Sequence, residues 1–328
     1  MLKQSRVKPS AALILSAVAF SALTLACFFF KDSLPASLTL QSPGPYIFVM
    51  DSISFQLNDR YFATGPIPFT WYSLLLIVGF VIAAFAGLKK ANEWEADRRI
   101  IWRGAVVALI GGLIGAKLYW IAVWAPEKLD YILMLIYQAK QGNFQMPNTG
   151  MAIHGAILGV LISMIFYCRK HAISLLKYLD LIFIVLPLAQ SIWRWGNFFN
   201  SETFGSPLPE SARLKLFIPY ERRPDEYVDS NYFHPTFLYE AVWDFSAFLL
   251  LYFLLAKRLK DKHGVLSCLY LIQYAICRLI IEPIRIDGIT INSMNVPILA
   301  SQVCLFIGTA GLFYLCFIRY RKKADSNK

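Results

Sequence analysis

An arginine lies near the end of one of the long apolar runs of this chain, and further polar residues follow it at once. The run 178–198 is long enough to cross a bilayer, and Arg194 lies within its last turns. A guanidinium costs roughly 2.5 to 3.5 kcal/mol at mid-membrane, and less near the interface, unless it meets a polar partner. Because its forked donors suit anionic groups, Arg194 is a candidate site residue, and Asn197, Glu202 and Gly205 directly after it extend the candidate site.

A second polar stripe lies near the end of a later apolar run. Tyr274, Arg278 and Glu282 are spaced by four residues, which places them on one face of a helix. This pattern suits a second anion-binding arginine with a carboxylate that orients it. The alternative is a buried ion pair between Arg278 and Glu282 that only locks helices together, and the pair could serve both purposes.

Polar residues also open three other apolar runs. His154 has the chemistry of a general base near neutral pH; the alternative is a histidine satisfied by backbone groups at a helix start, where the small residues of 155–159 serve helix packing. Tyr72 is a second candidate, with an ordinary interfacial aromatic residue as the alternative. Tyr239 and Glu240 begin a third run. Because Glu240 lies only a few residues into this span, the alternative is a carboxylate that is solvated by water.

The elements that must position these residues are membrane helices. The chain has 328 residues, of which 57% are hydrophobic and only 16% charged, a composition typical of polytopic membrane proteins. We predict an all-α fold, a polytopic integral membrane helical bundle of about eight transmembrane helices with a small periplasmic head segment. The alternation around DSISFQLND also predicts a short hairpin within 31–68. The predicted spans are 11–30, 69–88, 101–125, 151–168, 178–198, 236–256, 265–283 and 297–318.

The net charge of +11 indicates membrane topology rather than a nucleic-acid partner. With the amino terminus inside, most of the 32 Lys and Arg residues fall in the connections on that side, as the positive-inside rule requires. Both termini are therefore predicted to be cytoplasmic, with 31–68 and 201–235 outside, and the basic excess faces anionic lipid. The six cysteines lie in or beside apolar runs without paired spacing, which indicates neither a disulfide framework nor a zinc site.

The intramembrane polar residues share one predicted depth. Counting 1.5 Å per residue along each span places all of them in the outer half of the membrane. Structural polar groups would have uncorrelated depths, so the simplest interpretation is one hydrophilic cavity near the outer leaflet. The residues counted are Tyr72, Lys117, His154, Arg194, Asn197, Tyr239, Glu240, Arg278 and Glu282.

Six motifs in the same order along the chain resemble those of the bacterial prolipoprotein diacylglyceryl transferases. The most specific is RWGNFFNSETFG at 194–205, and the resemblance covers roughly 66–318. It implies a core at 66–318 with an outside head loop at about 199–235, an additional transmembrane anchor and outside loop at 1–65, and a basic cytoplasmic tail at 319–328. The other motifs are WYSLL at 71–75, GGLIGAKLY at 111–119, MAIHGAILG at 151–159, HPTFLYE at 234–240 and YAICRLIIEPIR at 274–285.

The resemblance implies an enzyme of the bacterial inner membrane with its active site toward the outer leaflet. Such enzymes transfer the diacylglyceryl group of phosphatidylglycerol to the lipobox cysteine thiol of preprolipoproteins, which forms a thioether and releases glycerol phosphate. The implied partners are phosphatidylglycerol, signal peptides with a lipobox cysteine, and membrane lipid, without cofactor or metal.

The chemistry of this reaction gives the residues of the expected site distinct roles. Arg194 and Arg278 stabilise the leaving phosphate, and His154 is the general base with Tyr274 as its competitor. The full catalytic set is His154, Arg194, Tyr274 and Arg278. The substrate-binding set is Tyr72, Lys117, Asn197, Glu202, Gly205, Tyr239, Glu240 and Glu282.

Within the substrate-binding set, Glu282 orients Arg278, and Lys117 is a possible third cation. Glu202 and Gly205 shape the mouth that admits the signal peptide, and the loop 201–235 is its lid.

This chain departs from the family pattern at three positions. Lys117 stands where arginine is commoner, Trp193 replaces a glycine, and Ala156 replaces a second glycine. Lysine gives up bidentate phosphate geometry, and the changes leave open a catalytically silent paralogue that only binds lipoprotein precursors. The other alternative is a transporter of lipid or anionic solutes, against which the confinement of charge to the outer half argues.

Overall fold

A computed structural model describes residues 38–44, 46–50, 54–57, 60–63, 67–124, 133, 136–137, 153–286, 290–291 and 294–325. The predicted span 11–30 lies outside these residues. These residues fall into two compact units, a larger one within 1–45, 70–90 and 179–328 and a smaller one within 46–69 and 91–178.

Most of the described chain is helical, as the composition predicts. Within the described ranges, five helices are long and apolar enough to cross a membrane, or six if one bent pair is a single span. The chain is thus a polytopic membrane protein. The helices are α1 (Trp71–Glu93), α2 (Arg98–Trp124), α3 (Ile153–Lys170), α4 (Leu175–Phe183), α5 (Leu186–Asn200), α6 (Thr236–Leu249, continued by Leu250–Leu255 and Ala256–Leu259), α7 (Val265–Ile281) and α8 (Val296–Asp325).

The predicted span 178–198 is not one straight helix. It corresponds to α4 and α5, which meet at an angle of 41° across a short break. Pro187 is at the start of α5. Its ring has no N–H to donate and clashes with the carbonyl four residues earlier, so a continuous helix is disfavoured there. The bend separates α4 from the polar end of α5 that carries Arg194.

In the larger unit, a buried carboxylate anchors the start of α7. Asp180 on α4 accepts hydrogen bonds from the backbone N–H of Gly264 at 2.6 Å, the N–H of Ser267 at 2.7 Å and the hydroxyl of Ser267 at 2.6 Å. Gly264 has φ +88°, which favours glycine. A carboxylate at a helix N-terminus also suits the helix dipole. These bonds fix the helix that carries Tyr274 and Arg278.

A small three-stranded sheet belongs to the same unit. Strand β6 (Leu214–Phe217) lies between β1 (Leu38–Gln41), which is parallel to it, and β7 (Tyr232–Phe233), which is antiparallel. The register pairs Leu38 with Leu214 and Leu216 with Phe233. Beneath it, a buried cluster joins the segment 201–235 to α6; its members are Phe204, Leu216, Ile218, Phe233 and Phe237. We call this sheet with its cluster the head.

In the smaller unit, glycines bring α2 and α3 into close contact. A Cβ at Gly115 would lie 2.3 Å from the carbonyl oxygen of Gly155, and one at Gly159 would lie 2.1 Å from that of Gly111. Side chains larger than hydrogen would force these helices apart. The interpretation of 155–159 as a packing segment is thus confirmed, and the crossing places His154 and Lys117 on packed helices.

The remaining strands are short. Ser54–Leu57 (β3) pairs antiparallel with Arg60–Ala63 (β4), so the hairpin predicted within 31–68 is confirmed. Tyr46–Met50 (β2) pairs with Ile67–Thr70 (β5), and Thr290–Ile291 (β8) with Met294–Asn295 (β9).

Candidate active site

The site centres on a buried carboxylate that contacts three arginines. Glu240 is 1% exposed in the first turns of α6. One of its oxygens, Oε2, lies 2.5 Å from Nη1 of Arg194. The other, Oε1, accepts a hydrogen bond from Nη1 of Arg278 at 2.8 Å and lies 3.5 Å from Nη1 of Arg285. The solvated alternative for Glu240 is therefore wrong, since its carboxylate joins α5, α6 and the end of α7.

Arg278 is held from two sides. Besides Glu240, its guanidinium donates through Nη2 to Oε2 of Glu282, one turn further along the chain. Arg278 is 8% exposed and Glu282 2% exposed. The predicted ion pair is thus present, and the contact with Glu240 shows that it also belongs to a larger cluster. Removing one partner of such a desolvated ion pair strongly destabilises a protein, because the other charge is left without a counter-ion.

Arg194 is placed by the close packing of α5 on α1. A Cβ at Gly196 would lie 2.7 Å from the ring of Tyr72 and 3.0 Å from its Cα, so only glycine lets the tyrosine approach this closely. Tyr72 interacts electrostatically with Arg194 and Glu202. The structure therefore brings Tyr72 to the arginine site.

The polar residues after Arg194 form a connected group at the end of α5. Nδ2 of Asn197 donates to Oε1 of Glu202 at 2.9 Å, and Nδ2 of Asn200 donates to the same oxygen at 3.1 Å. Ser201, with φ +52°, ends the helix. Glu202 is exposed, whereas Asn197 is buried and its Oδ1 has no hydrogen-bond partner among the described residues.

Gly205 joins the head to the end of α7. Its N–H donates to the carbonyl of His234 at 2.9 Å. A Cβ there would lie 2.8 Å from Cβ of His234 and 3.0 Å from the carbonyl oxygen of Ile284, in the 3₁₀ turn Glu282–Ile284. This close approach fixes the turn from which Glu282 projects.

Two tyrosines complete the group in this unit. Tyr239 is buried, with its hydroxyl 3.3 Å from Nδ1 of His234. Tyr274 stacks on Tyr270 at a ring-centroid distance of 6.1 Å and interacts electrostatically with Arg278 and Arg194. Ten of the predicted site residues thus lie in the larger unit: Tyr72, Arg194, Asn197, Glu202, Gly205, Tyr239, Glu240, Tyr274, Arg278 and Glu282.

His154 and Lys117 belong to the smaller unit. His154 is exposed in the first turn of α3, with its ring 6.0 Å from that of Tyr119. Nζ of Lys117 lies 5.1 Å from the ring centroid of Trp120. Their part in the chemistry stays a prediction.

Comparisons with known proteins identify the family. The family described as prolipoprotein diacylglyceryl transferase matches residues 60–314. The chain belongs to this family. It is 36% identical over 303 residues to the phosphatidylglycerol–prolipoprotein diacylglyceryl transferase of Thermotoga petrophila, covering 89% of this chain and 97% of that protein. The enzymes of the same name from Thermotoga maritima (82% and 88% covered) and Synechococcus elongatus (76% and 85%) are each 37% identical to it.

Two charged residues of this family member were missed from the sequence. Asp244 is 3% exposed on α6, and its Oδ2 lies 3.9 Å from Nε of Arg194. Arg285 reaches Glu240 from just beyond α7. The sequence contained an indication of each residue. Asp244 is one helical turn from Glu240 within an apolar stretch, and Arg285 is the last residue of the motif at 274–285.

The candidate site balances three guanidinium groups against three carboxylates within one cluster. The cations are Arg194, Arg278 and Arg285; the acids are Glu240, Asp244 and Glu282. Ions removed from water are stable only when paired, so the three carboxylates stabilise the three guanidinium groups at this place in the fold. Among the described residues there is no group of three His, Cys, Asp or Glu side chains suited to a metal ion.

Proposed function

We propose that this chain transfers the diacylglyceryl group of phosphatidylglycerol to the lipobox cysteine of preprolipoproteins. The single observation that carries the proposal, beside family membership, is the pair of arginines that share one buried carboxylate, Arg194 and Arg278 on Glu240. A phosphodiester lipid presents one anionic phosphate at the membrane interface, and guanidinium groups bind phosphate through forked, charge-assisted hydrogen bonds.

The reaction is a substitution at the glycerol carbon that bears the phosphate. The cysteine sulfur forms a bond to this carbon, and the carbon–oxygen bond to phosphate breaks. Its electron pair goes to the phosphate oxygen, so that glycerol phosphate leaves with additional negative charge, and the thiol proton goes to a base. Arg194 and Arg278 stabilise this charge in a site of low dielectric constant, where preorganised donors are most effective.

Two residues remain candidates for the base. A free thiol has a pKa of about 8.5, so at neutral pH removal of its proton helps the reaction. His154 has the appropriate chemistry and lies in the first turn of an exposed helix end. Tyr274 lies one helical turn before Arg278 on the same face of α7, which places its hydroxyl side chain on the helix face of the arginine site. We propose His154 as the base, with Tyr274 as the alternative.

The remaining predicted residues bind and orient the substrate. Asn197 orients the lipid head group, and Glu202 holds the Asn197 amide. Glu282 fixes Arg278, and Lys117 is a further cation for the lipid. Glu202 and Gly205 shape the mouth that admits the signal peptide. The segment 201–235, which packs through its buried cluster, is the lid of this mouth.

We place the enzyme in the bacterial inner membrane, with eight spans, both termini cytoplasmic, and the head and active site at the outer leaflet. The distribution of Lys and Arg supports this orientation. In the same proposal, 1–65 is an additional anchor and outside loop, 66–318 the transferase core and 319–328 a basic tail.

The test is a transfer assay with the purified full-length protein. Incubation with phosphatidylglycerol micelles and a lipobox peptide should add one diacylglyceryl mass to the peptide and release glycerol phosphate in equal amount. A peptide with serine in place of the lipobox cysteine is the control and should gain no mass. Movement of phosphatidylglycerol between leaflets without either product would instead support a transporter.

A further inference from the structure

Asp244 is a buried acid that the proposed chemistry leaves without a role. It lies on α6 one turn after Glu240, is 3% exposed and is flanked by Trp243 and Phe245. Carboxylates in the interior of membrane helices are rare and generally face a polar partner. We therefore expect a polar partner beside the carboxylate of Asp244.

The partner is the guanidinium of Arg194. Nη1 of Arg194 contacts Glu240, and Nε lies 3.9 Å from Oδ2 of Asp244. This Nε is buried and has no hydrogen-bond partner among the described residues. A buried donor left unpaired costs the free energy of its desolvation. A shift of about 1 Å would bring the two atoms to hydrogen-bond distance.

We propose that Asp244 is a positioning residue that accepts the Nε–H of Arg194 in the lipid-bound enzyme. Hydrogen bonds at active sites are often long in the free enzyme and tighten in the complex. With Nη1 on Glu240 and Nε on Asp244, the planar guanidinium has one orientation, and its remaining N–H groups point to the phosphate. The inference rests on the proposed function, since Arg194 is taken to bind the lipid phosphate.

A second buried carboxylate of the same unit shows what a structural role looks like. Both oxygens of Asp180 accept hydrogen bonds from Gly264 and Ser267, which are neutral donors at the start of α7. Asp244 instead faces the cation of the candidate site. Asp180→Asn is therefore the matched control, because it alters a buried acid without touching Arg194.

The first experiment measures transfer kinetics of the full-length enzyme in phosphatidylglycerol micelles. Asp244→Leu, which has the same branched shape but no acceptor, should lower kcat by on the order of 10²-fold, as expected of a misplaced catalytic group. Asp244→Asn keeps an acceptor oxygen and should lose about tenfold or less. In an Arg194→Lys background, Asp244→Leu should cause no further loss, because lysine has no Nε–H. Asp180→Asn should lower Tm and leave kcat within a few-fold.

The second experiment observes Arg194 directly. The Nε proton of Arg194 is followed by its NMR signal, which is assigned through its loss in Arg194→Lys. This proton should exchange with solvent more slowly when phosphatidylglycerol is bound. In both Asp244→Leu and Asp244→Asn the exchange should be several-fold faster than in the wild type, and in Asp180→Asn it should be unchanged. If Asp244→Leu does not fold, Asp244→Asn alone supplies this comparison.

The outcomes separate the inference from the proposed function. A wild-type enzyme that makes no diacylglyceryl peptide would refute the function, whereas the exchange experiment would still test the contact. Full kcat in Asp244→Leu beside an active wild type would overturn the inference and leave the function intact. Wild-type Nε–H exchange in both Asp244 variants would overturn it as well.

Discussion

At the scale of single residues, Glu240 is the residue of the site that combines near-complete burial with contacts to three arginines. It is almost wholly buried and meets Arg194, Arg278 and Arg285. The cluster means that a charge removed from any one of these residues leaves its partners unpaired in an apolar setting, which costs far more than an exposed ion pair is worth. Activity and folding are therefore coupled here, and variants must be chosen to separate them.

Arg194→Lys is such a variant. It keeps the positive charge for Glu240, so expression and Tm should change little. The forked geometry is lost, however, and transfer should fall by about 10² to 10³-fold, the range for removal of one charge-stabilising donor, nearly as far as in Arg194→Ala. The measurements are kcat and thermal unfolding in micelles. Full activity of Arg194→Lys would remove Arg194 from the catalytic residues, and misfolding of it would favour a purely structural role.

His154→Gln separates base catalysis from packing. Glutamine keeps hydrogen-bonding shape at the helix start, so the fold should survive while transfer at neutral pH falls by about 10² to 10⁴-fold. Between pH 7 and pH 9 part of the activity should return, because the substrate thiol then ionises without help. Rates are measured at both pH values together with phosphatidylglycerol binding. Equal loss at both, with weaker lipid binding, would make Tyr274 the better base.

Sequence patterns were most informative about residues that share a helix face. The spacing of Tyr274, Arg278 and Glu282 predicted the ion pair that the structure contains. The role of Glu240 was ambiguous, because its depth along one helix does not reveal which other helices meet it. Asp244 was missed for the same reason, since a single acid in an apolar run gains meaning only from the arginine beside it.

At the scale of elements, proline and glycine determine how the site is carried. Pro187 starts α5 after the 41° bend that ends α4. The length of the apolar run alone predicted one straight span, because hydropathy carries no information on the direction of the helix axis. The small residues at 155–159 of α3 were recognised as packing residues, since small residues four apart present one smooth face, whereas their glycine partners on α2 were not.

Gly159→Ala tests this helix crossing. The new Cβ would lie 2.1 Å from the carbonyl oxygen of Gly111, a backbone atom that cannot move without shifting its helix. We expect a loss of about 1 to 3 kcal/mol of stability, as for other overpacked sites, measured as Tm in micelles. Gly87→Ala is the control. The atom nearest to its new Cβ would be Cγ2 of Val185 at 3.6 Å, an ordinary contact distance, so its Tm should equal that of the wild type. Equal Tm values for both variants would contradict the close crossing.

At the scale of the whole molecule, charge distribution predicts orientation. Glu221→Cys, exposed in the segment 201–235, should react with a membrane-impermeant maleimide in intact spheroplasts, and Lys262→Cys, exposed between α6 and α7, should react only after lysis. Lys215 is unsuitable for labelling because it is buried. The unmodified protein supplies the background from native cysteines. Protection of position 221 with labelling of position 262 would reverse the topology.

The membrane class, the family and most members of the arginine cluster were predictable because composition and motif order carry them. The head's internal order was not, since it depends on pairing between distant segments. Leu40 and Phe204, for example, meet through a core that also contains Phe233 and Phe237. No local pattern in any one of these segments indicates that contact.

The parallel pairing of β1 with β6 also sets an order of events during synthesis. Leu38 leaves the ribosome long before Leu214, its partner in the sheet, and contacts so distant in sequence form slowly because the intervening chain must first be confined. Strand β1 therefore has to wait, unpaired, while α1 to α5 are made and inserted. The head can close only after Phe233 has emerged, so a nascent enzyme acquires α1 to α5 before its head can form.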